Sequence, residues 1–249
     1  MSERSSYEPG TPCWVDFGSP DLDASAGFYT ALFGWEVPES ENVEETGGYR
    51  RVTKNGTDVL GMMPLMQEGQ PPAWSSYVSV ADADATAVAV EENGGSVLAE
   101  AMDVMGLGKM AVFSDPAGAV FGVWQPGTFH GAGLVNEPGA LSWNELNTRD
   151  LAGATSFYGA VFGWDFETND MGEMGKYTTV NLGGNPVAGI LDMDEREVPP
   201  HWLVYFAVED TDATVAQAKE RGGSVVMGRS TFPSAASRSS PTPTGRPSR

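Results

Sequence analysis

Apolar residues at the start of the chain recur first at strand spacing and then at helix spacing. Positions 14–17, WVDF, are short and aromatic, as is typical of a β-strand. Asp21 is a good helix N-cap, and after it apolar side chains recur every three or four residues as far as Phe33. Gly34 follows and is suited to ending the helix. The pattern therefore predicts a strand followed by a helix.

Short strands and a second helix follow. A turn at 54–56 joins two strands in a predicted hairpin, and a further strand covers 74–80. Asp84 is placed to cap the second helix, Gly94-Gly95 to end it, and the turn at 115–118 to join closing strands. The first part of the chain thus divides into two β-α-β-β-β units.

This arrangement recurs in the second half of the chain. Residues 10–37 align without gaps to residues 139–166, an offset of 129, and farther on the offset is 128. The matched pairs include Trp14/Trp143, Trp35/Trp164, Tyr49/Tyr177, Gly61/Gly189 and Trp74/Trp202. We therefore expect two tandem modules, 7–127 and 139–228, joined by a linker at 128–138.

The C-terminal segment 229–249 does not continue the repeat. It has no acidic residue, and Phe232 is its single large apolar side chain, so we expect it to be disordered. A shift of reading frame near Arg229 would explain the change of composition. The second module is then incomplete, lacks its closing strands, and leaves Val204 and Phe206 uncovered.

The repeated motifs resemble the vicinal oxygen chelate superfamily. They are a D-L-x-x-(S/A)-x-x-F-Y-x-x-(L/V)-F-G-W helix, a V-x-D-x-D-A-T helix start, a G-G-S-V strand start and, in the first module, a D-P-x-G turn. That superfamily includes glyoxalase I, bleomycin-resistance proteins and extradiol dioxygenases, and the chain is similar to its tandem glyoxalase-like members in actinobacteria. The resemblance implies an α+β fold in which each module forms curved mixed sheets around a cup.

In members that use a metal, the resemblance implies a divalent ion held by His, Gln or Glu on the first and last strands. The matching positions here are occupied by side chains or glycine that make poor ligands: Trp14, Trp143, Ser75, Leu203 and Gly122. The two histidines, His130 and His201, stand elsewhere. We therefore expect no divalent metal and no other cofactor.

Tryptophans and two carboxylates remain as candidate site residues. The candidate ligand-binding residues are Trp14, Trp74, Trp124, Trp143 and Trp202. Asp16 and Glu145 share a strand face with Trp14 and Trp143 by period-two alternation, which makes them candidate catalytic bases or ligand contacts. The alternatives are that the tryptophans are core residues, as we expect for Trp35 and Trp164, and that the carboxylates are solvated strand-end acids.

Composition restricts the partners. The 34 acidic and 14 basic residues give a formal charge of −20, which argues against nucleic acid and against anionic membrane surfaces. One cysteine excludes an intrachain disulfide, and neither a signal peptide nor a membrane span stands out. We expect a cytoplasmic protein, monomer or homodimer, whose partner is a small organic ligand.

Three functions compete. The first is metal-independent binding of a small molecule in aromatic cups, as in bleomycin-resistance proteins. The second is an enzyme of secondary metabolism, either a glyoxalase-like lyase or isomerase or a hydroxylase- or dioxygenase-like protein. The third is a scaffold with filled cups that binds nothing. An open cavity beside Trp14 or Trp143, with or without a carboxylate facing it, discriminates among them.

Overall fold

A computed structural model describes residues 3–40, 42–65, 69–171, 176–193 and 198–226. The chain divides into two compact units, one ending at Asp210 and one beginning at Thr211. The second unit contains helix α5 (Thr211–Glu220). Both β-sheets lie in the first unit.

The first module forms a seven-stranded mixed sheet. Its elements are β1 (Pro12–Ser19), α1 (Leu22–Phe33), α2 (Val43–Thr46), β2 (Arg50–Lys54), β3 (Thr57–Pro64), β4 (Ala73–Ser79), α3 (Ala83–Glu92), β5 (Ser96–Asp103), β6 (Gly108–Ser114) and β7 (Val120–Pro126). The strand order is β2-β3-β1-β4-β7-β6-β5. The two central strands, β1 and β4, run antiparallel, and each has a parallel neighbour on its other side.

The second module forms a five-stranded sheet. Its elements are β8 (Leu141–Thr148), α4 (Leu151–Phe162), β9 (Asp165–Asp170), β10 (Lys176–Leu182), β11 (Asn185–Asp192) and β12 (His201–Phe206), in the order β12-β8-β11-β10-β9. The predicted α+β fold with two tandem modules is confirmed. Up to residue 226, no strand follows β12, as expected for a module without its closing strands. The segment 229–249, expected to be disordered, lies outside the described residues.

Helix ends follow the predicted capping with one correction. The Asp21 side chain accepts a hydrogen bond from the Ala24 amide at 2.9 Å, and Gly34 ends α1 with a φ of +69°. Helix α3 is capped by Asp82, which accepts from the amides of residues 84 and 85, and not by Asp84. The reason is position: Asp84 already lies inside the first turn, where it pairs with Lys109 at 3.0 Å. Within the described part of the chain, no helix is long and apolar enough to cross a membrane.

The two modules share their cores. Phe113 and Phe121 of the first module pack in one buried cluster with Phe157 and Tyr158 of α4. Phe206 of β12 packs against Phe33 of α1 with ring centroids 5.3 Å apart. A third cluster, around Trp14, lies on the other face of the first sheet.

The expectation that Val204 and Phe206 are uncovered is wrong. Val204 packs against the cluster around α1, and the Phe206 ring contacts Trp35 and Trp74 at 5.1 and 5.0 Å. The first module covers these side chains because they lie on the face of β12 that meets α1. The exposed apolar residues of β12 are Leu203 and Tyr205, which lie on the opposite face.

Two tryptophans tie each module to the start of the other. Trp35 Nε1 donates to the Gly139 carbonyl at 2.6 Å, and Trp164 Nε1 donates to the Gly10 carbonyl at 2.7 Å. Both indoles are buried, so the prediction that they are core residues is confirmed. A buried indole N–H needs such an acceptor, because leaving it unpaired is costly.

The receiving positions require glycine. Gly10 and Gly139 have φ values of +92° and +80°. A Cβ at 139 would lie 2.6 Å from the Phe33 carbonyl oxygen, and a Cβ at 10 would lie 3.2 Å from the Phe162 carbonyl oxygen. At Gly139 the backbone conformation and the close approach both exclude larger residues, whereas at Gly10 the positive φ is the stronger constraint and the approach is only tight.

We expect Gly139→Ala to destabilise the protein more than Gly56→Ala. Gly56 also has a positive φ, +75°, but nothing lies within 4 Å of a Cβ built there. In the control, Gly56→Ala, the free energy of unfolding should therefore fall only by the cost of a positive φ for alanine, about 1 to 2 kcal/mol. Gly139→Ala should lose about 1 to 3 kcal/mol more, because the Cβ overlaps the end of α1. Urea unfolding measures both, and equal losses would contradict the close approach.

Candidate functional site

The first candidate site lies on the face of the first sheet opposite α1, which we call the first cup. Asp16 and Trp14 alternate with Val15 and Phe17, which pack under α1. Trp14 Nε1 donates to Asp16 Oδ1 at 2.9 Å, and the Tyr49 hydroxyl donates to the same oxygen at 2.7 Å. The Tyr77 hydroxyl also hydrogen-bonds the carboxylate. Trp14, Asp16, Tyr49 and Tyr77 form the first cluster.

The same four positions form a second cluster in the second module, on the face we call the second cup. It consists of Trp143, Glu145, Tyr177 and Tyr205. The Tyr205 hydroxyl donates to Glu145 Oε1 at 2.9 Å, and Trp143 Nε1 donates to the Tyr177 hydroxyl at 2.8 Å. Tyr177 in turn hydrogen-bonds Glu145. Both predicted carboxylates therefore lie in hydrogen-bonded networks with a tryptophan.

A glycine makes room for each cluster. A Cβ at Gly61 would overlap the Tyr49 hydroxyl and the Asp16 carboxylate, and a Cβ at Gly189 would overlap the Tyr177 hydroxyl. In register, Gly61 stands beside Asp16 and Gly189 beside Glu145. The repeated glycines thus let a tyrosine from the neighbouring hairpin reach the carboxylate.

The first cup is filled by the segment that links the modules. The Phe129 ring meets Trp14 edge to face, with centroids 4.9 Å apart and an interplanar angle of 88°. It meets Trp124 in the same way at 5.8 Å. As a result Trp14 is only 5% exposed, and Asp16 only 6%. The first cluster is closed to a ligand.

The second cup is more open. Tyr205 is 40% exposed and Trp143 is half-buried, while the Glu145 carboxylate beneath them is buried. A cavity of about 530 Å³ reaches Trp143. It lies between the N-terminal segment, the start of β8 and the β10–β11 hairpin, and its lining includes Arg4, Glu8, Asn144 and Leu182. Glu145, Tyr177 and Tyr205 do not line it, so Glu8 is the carboxylate that faces this cavity.

The pKa of the buried Asp16 in the first cluster is raised. Burial raises the pKa of Asp16, and hydrogen bonds from Tyr49, Tyr77 and Trp14 lower it only in part. Burial and the neighbouring Asp16 raise the pKa of Tyr49 and Tyr77 well above their ordinary value. These tyrosines therefore remain protonated donors at neutral pH.

Two of the five candidate tryptophans do not line a cup. Trp74 packs against Phe17 at 4.9 Å on the α1 side of the first sheet. Trp202 is buried in the shared core, where its Nε1 donates to the Tyr158 hydroxyl at 3.0 Å. Period-two alternation explains both, because Trp74 and Trp202 stand an odd number of residues from the cup-facing Tyr77 and Tyr205. Trp14 and Trp124 meet in the first cup through Phe129, and Trp143 lies in the second.

Sequence reasoning missed the tyrosines of both clusters. Tyr77 and Tyr205 are in register with Trp14 and Trp143 across the antiparallel strand pairs. The signal was available, because Tyr77 and Tyr205 match at the same offset of 128 that pairs Tyr49 with Tyr177. A cup-facing tyrosine repeated beside a repeated tryptophan would have marked the site.

The donors at the family's metal positions do not fit a divalent ion. Of the expected metal positions in the first module, Trp14 and Gly122 both stand in register with Tyr77, and Ser75 stands in register with Asp16. Neither an indole nor a glycine without a side chain can ligate a metal. Among the described residues, no group of three His, Cys, Asp or Glu side chains lies close enough to hold a metal. Asp16 and Glu145 each stand among tyrosines and a tryptophan and not among further ligands.

Comparison with known proteins identifies the family. A family model described as the Glyoxalase/Bleomycin resistance protein/Dioxygenase superfamily matches residues 14–123 and 140–239. The chain belongs to this superfamily. The predicted resemblance is therefore confirmed for both modules.

Curated relatives within the superfamily cover most of the chain. "Putative glyoxylase CFP32" of Mycobacterium tuberculosis is 40% identical over 237 residues, which are 94% of this chain and 91% of that protein. "Anthracycline biosynthesis protein DnrV" of Streptomyces peucetius is 42% identical over 235 residues, covering 88% and 84%. Each name describes that protein.

Solved structures from the superfamily share the fold. The Mn(II)-bound glyoxalase from Novosphingobium aromaticivorans superimposes with a TM-score of 0.57 at 18% identity, over 86% of this chain and 70% of that one. The 2,2',3-trihydroxybiphenyl 1,2-dioxygenase from Sphingomonas wittichii gives a TM-score of 0.59 at 16% identity, over 89% and 82%. At these identities the likeness establishes fold alone.

We expect Asp16→Asn to flatten the pH dependence of stability. Because the pKa of Asp16 is raised above its ordinary value of 3.8 on folding, the folded state holds this proton more tightly than the unfolded state. The stabilisation is complete below pH 3.8 and is lost as the pH rises through the folded pKa. Each pH unit between the two pKa values corresponds to about 1.4 kcal/mol.

Urea unfolding of both proteins between pH 4 and pH 8 measures this effect. The wild-type protein should lose stability more steeply than Asp16→Asn at every pH in that range that lies below the folded pKa of Asp16. Parallel curves would show that Asp16 titrates alike in the folded and unfolded states.

Proposed function

We propose that the chain binds a hydroxyl-bearing aromatic small molecule against Trp143, without a metal. The observation that carries this proposal is the difference between the modules: Trp14 is sealed, whereas Trp143 is accessible and forms one wall of a cavity of about 530 Å³. That volume falls within the roughly 300 to 1,000 Å³ typical of small-molecule sites.

The lining of the cavity suits both the aromatic ring and the hydroxyl group of the proposed ligand. Trp143, Leu182 and Val187 offer an aromatic and aliphatic wall for a planar ring. Ser142 and Asn136 supply side-chain donors and acceptors for hydroxyl groups. With a net charge of −20 on the chain, a neutral or cationic ligand is favoured over an anionic one.

The second cluster positions the indole. Trp143 Nε1 donates to Tyr177, and Tyr177 and Tyr205 both hydrogen-bond Glu145. This network fixes the orientation of the indole before a ligand arrives, which lowers the entropic cost of binding. Since Glu145 does not line the cavity, its proposed role here is to position Trp143 and not to abstract a proton from a ligand.

The names of two relatives bear on the choice between binding and catalysis. The Streptomyces peucetius relative is named for anthracycline biosynthesis, whereas the Mycobacterium tuberculosis relative is named a putative glyoxylase. The lyase or dioxygenase alternatives need a base or a metal centre in contact with the substrate. The cavity at Trp143 contains neither Asp16 nor Glu145, and the acid that does line it, Glu8, is exposed.

We expect 4-fluorophenol to bind the wild-type chain saturably and to quench tryptophan fluorescence. Trp143→Ala should weaken binding at least tenfold, because the aromatic wall is lost. Asn185→Phe should also weaken it, because residue 185 is exposed on the rim of the cavity and the larger ring fills it.

Two matched controls accompany this titration. Glu92→Phe places the same ring at an exposed position at the end of α3 and should leave affinity unchanged. 4-Fluorotoluene, which lacks the hydroxyl, should bind more weakly than 4-fluorophenol. Unchanged affinity in a folded Trp143→Ala protein would remove the proposal and favour the scaffold alternative.

Elemental analysis tests the metal-independent part. After gentle purification we expect well under one Mn, Fe, Ni or Zn per chain, and 4-fluorophenol affinity unaltered by EDTA, because the donors at the family's metal positions do not fit an ion. One metal per chain that is lost in Glu145→Ala or Asp16→Ala would instead support the enzyme alternative.

A further inference from the structure

The first cup contains an aromatic ring from its own chain. Phe129 stands edge to face against Trp14 and Trp124, at 4.9 and 5.8 Å. The guanidinium carbon of Arg51 lies 5.5 Å from the centroid of the same ring. Edge-to-face contact with two indoles and a cation over the ring face are the contacts by which a protein binds an arene.

Phe129 is the aromatic member of a linker whose Ala132 and Val135 side chains also pack in the cluster around Trp14. Its neighbours Thr128 and His130 are exposed. The backbone is held at the mouth of the cup, since the Phe129 amide donates to the Leu107 carbonyl at 3.0 Å and Trp124 Nε1 donates to the Phe129 carbonyl at 2.8 Å. The linker therefore places one phenyl ring in the cup, against Trp14 and Trp124.

The second cup has no equivalent occupant among the described residues. No aromatic ring there packs against Trp143 as Phe129 packs against Trp14, although the surrounding tyrosines and carboxylate match. The two cups thus have the same arrangement of tryptophan, tyrosines and carboxylate, and an aromatic ring packs on the tryptophan in the first cup but not in the second.

We infer that Phe129 is a built-in occupant of the first cup, and that this cup is an arene site of phenyl size which an external ligand enters only when the Phe129 ring is removed. The ligand class is a neutral benzene ring with or without a hydroxyl. The stoichiometry of one external ligand per wild-type chain rests on the proposed function of the second module. The existence of the first-cup site does not.

The test is the number of 4-fluorophenol molecules bound per chain, measured by ¹⁹F NMR and calorimetry. The wild-type protein should bind one, Phe129→Ala two, Trp143→Ala none, and the double variant Phe129→Ala/Trp143→Ala one. Ligand should also raise the unfolding temperature of Phe129→Ala more than that of wild type. His130→Ala, which changes an exposed neighbour, should behave as wild type.

The outcomes separate the two proposals. If wild type binds none and Phe129→Ala binds one, the proposed function fails and the built-in occupant stands. If Phe129→Ala binds no more than wild type, the first cup is ordinary core packing and the inference is overturned. Should Phe129→Ala be unfolded by circular dichroism, Phe129→Val, which removes fewer carbons, takes its place with the same expected counts.

Discussion

The reciprocal bond between each buried tryptophan and the opposite module's first strand organises the molecule. Trp35 reaches Gly139, and Trp164 reaches Gly10, in each case two residues before the first strand of the other module. The same glycine amides donate to Ser79 and Ala207, at the ends of β4 and β12. Around each of these glycines, a short segment therefore connects the end of a helix, the start of one strand and the end of another. Neither module completes its core alone.

This constraint decides which sheet faces are free for ligands. The faces that carry α1 and α4 are used for the shared core, where Phe206 packs on α1 and Tyr158 packs with Phe121. The opposite faces hold the clusters around Asp16 and Glu145. The tryptophans on the helix side, Trp74 and Trp202, therefore serve packing.

The modules differ in what lies across their cups. The segment leaving β7 must cross the rim of the first cup to reach β8, and on the way it places Phe129 against Trp14. The buried Asp16 then becomes part of a closed network. Glu145 lies in the same arrangement, yet Tyr205 above it stays exposed and Trp143 borders a cavity. Duplication supplied two equivalent clusters, and the path of the linker made them unequal.

The sequence by itself determined the modules, the capped helices and the burial of Trp35 and Trp164, because repeat offsets, capping residues and hydrophobic spacing act over short distances along the chain. It also placed Asp16 and Glu145 on the strand face of Trp14 and Trp143. Only the tertiary structure decided that Tyr77 and Tyr205 complete the clusters, that Trp74 and Trp202 belong to the core, and that Phe129 closes one cup. These outcomes depend on strand register and on contacts between segments far apart in sequence, which local patterns do not specify.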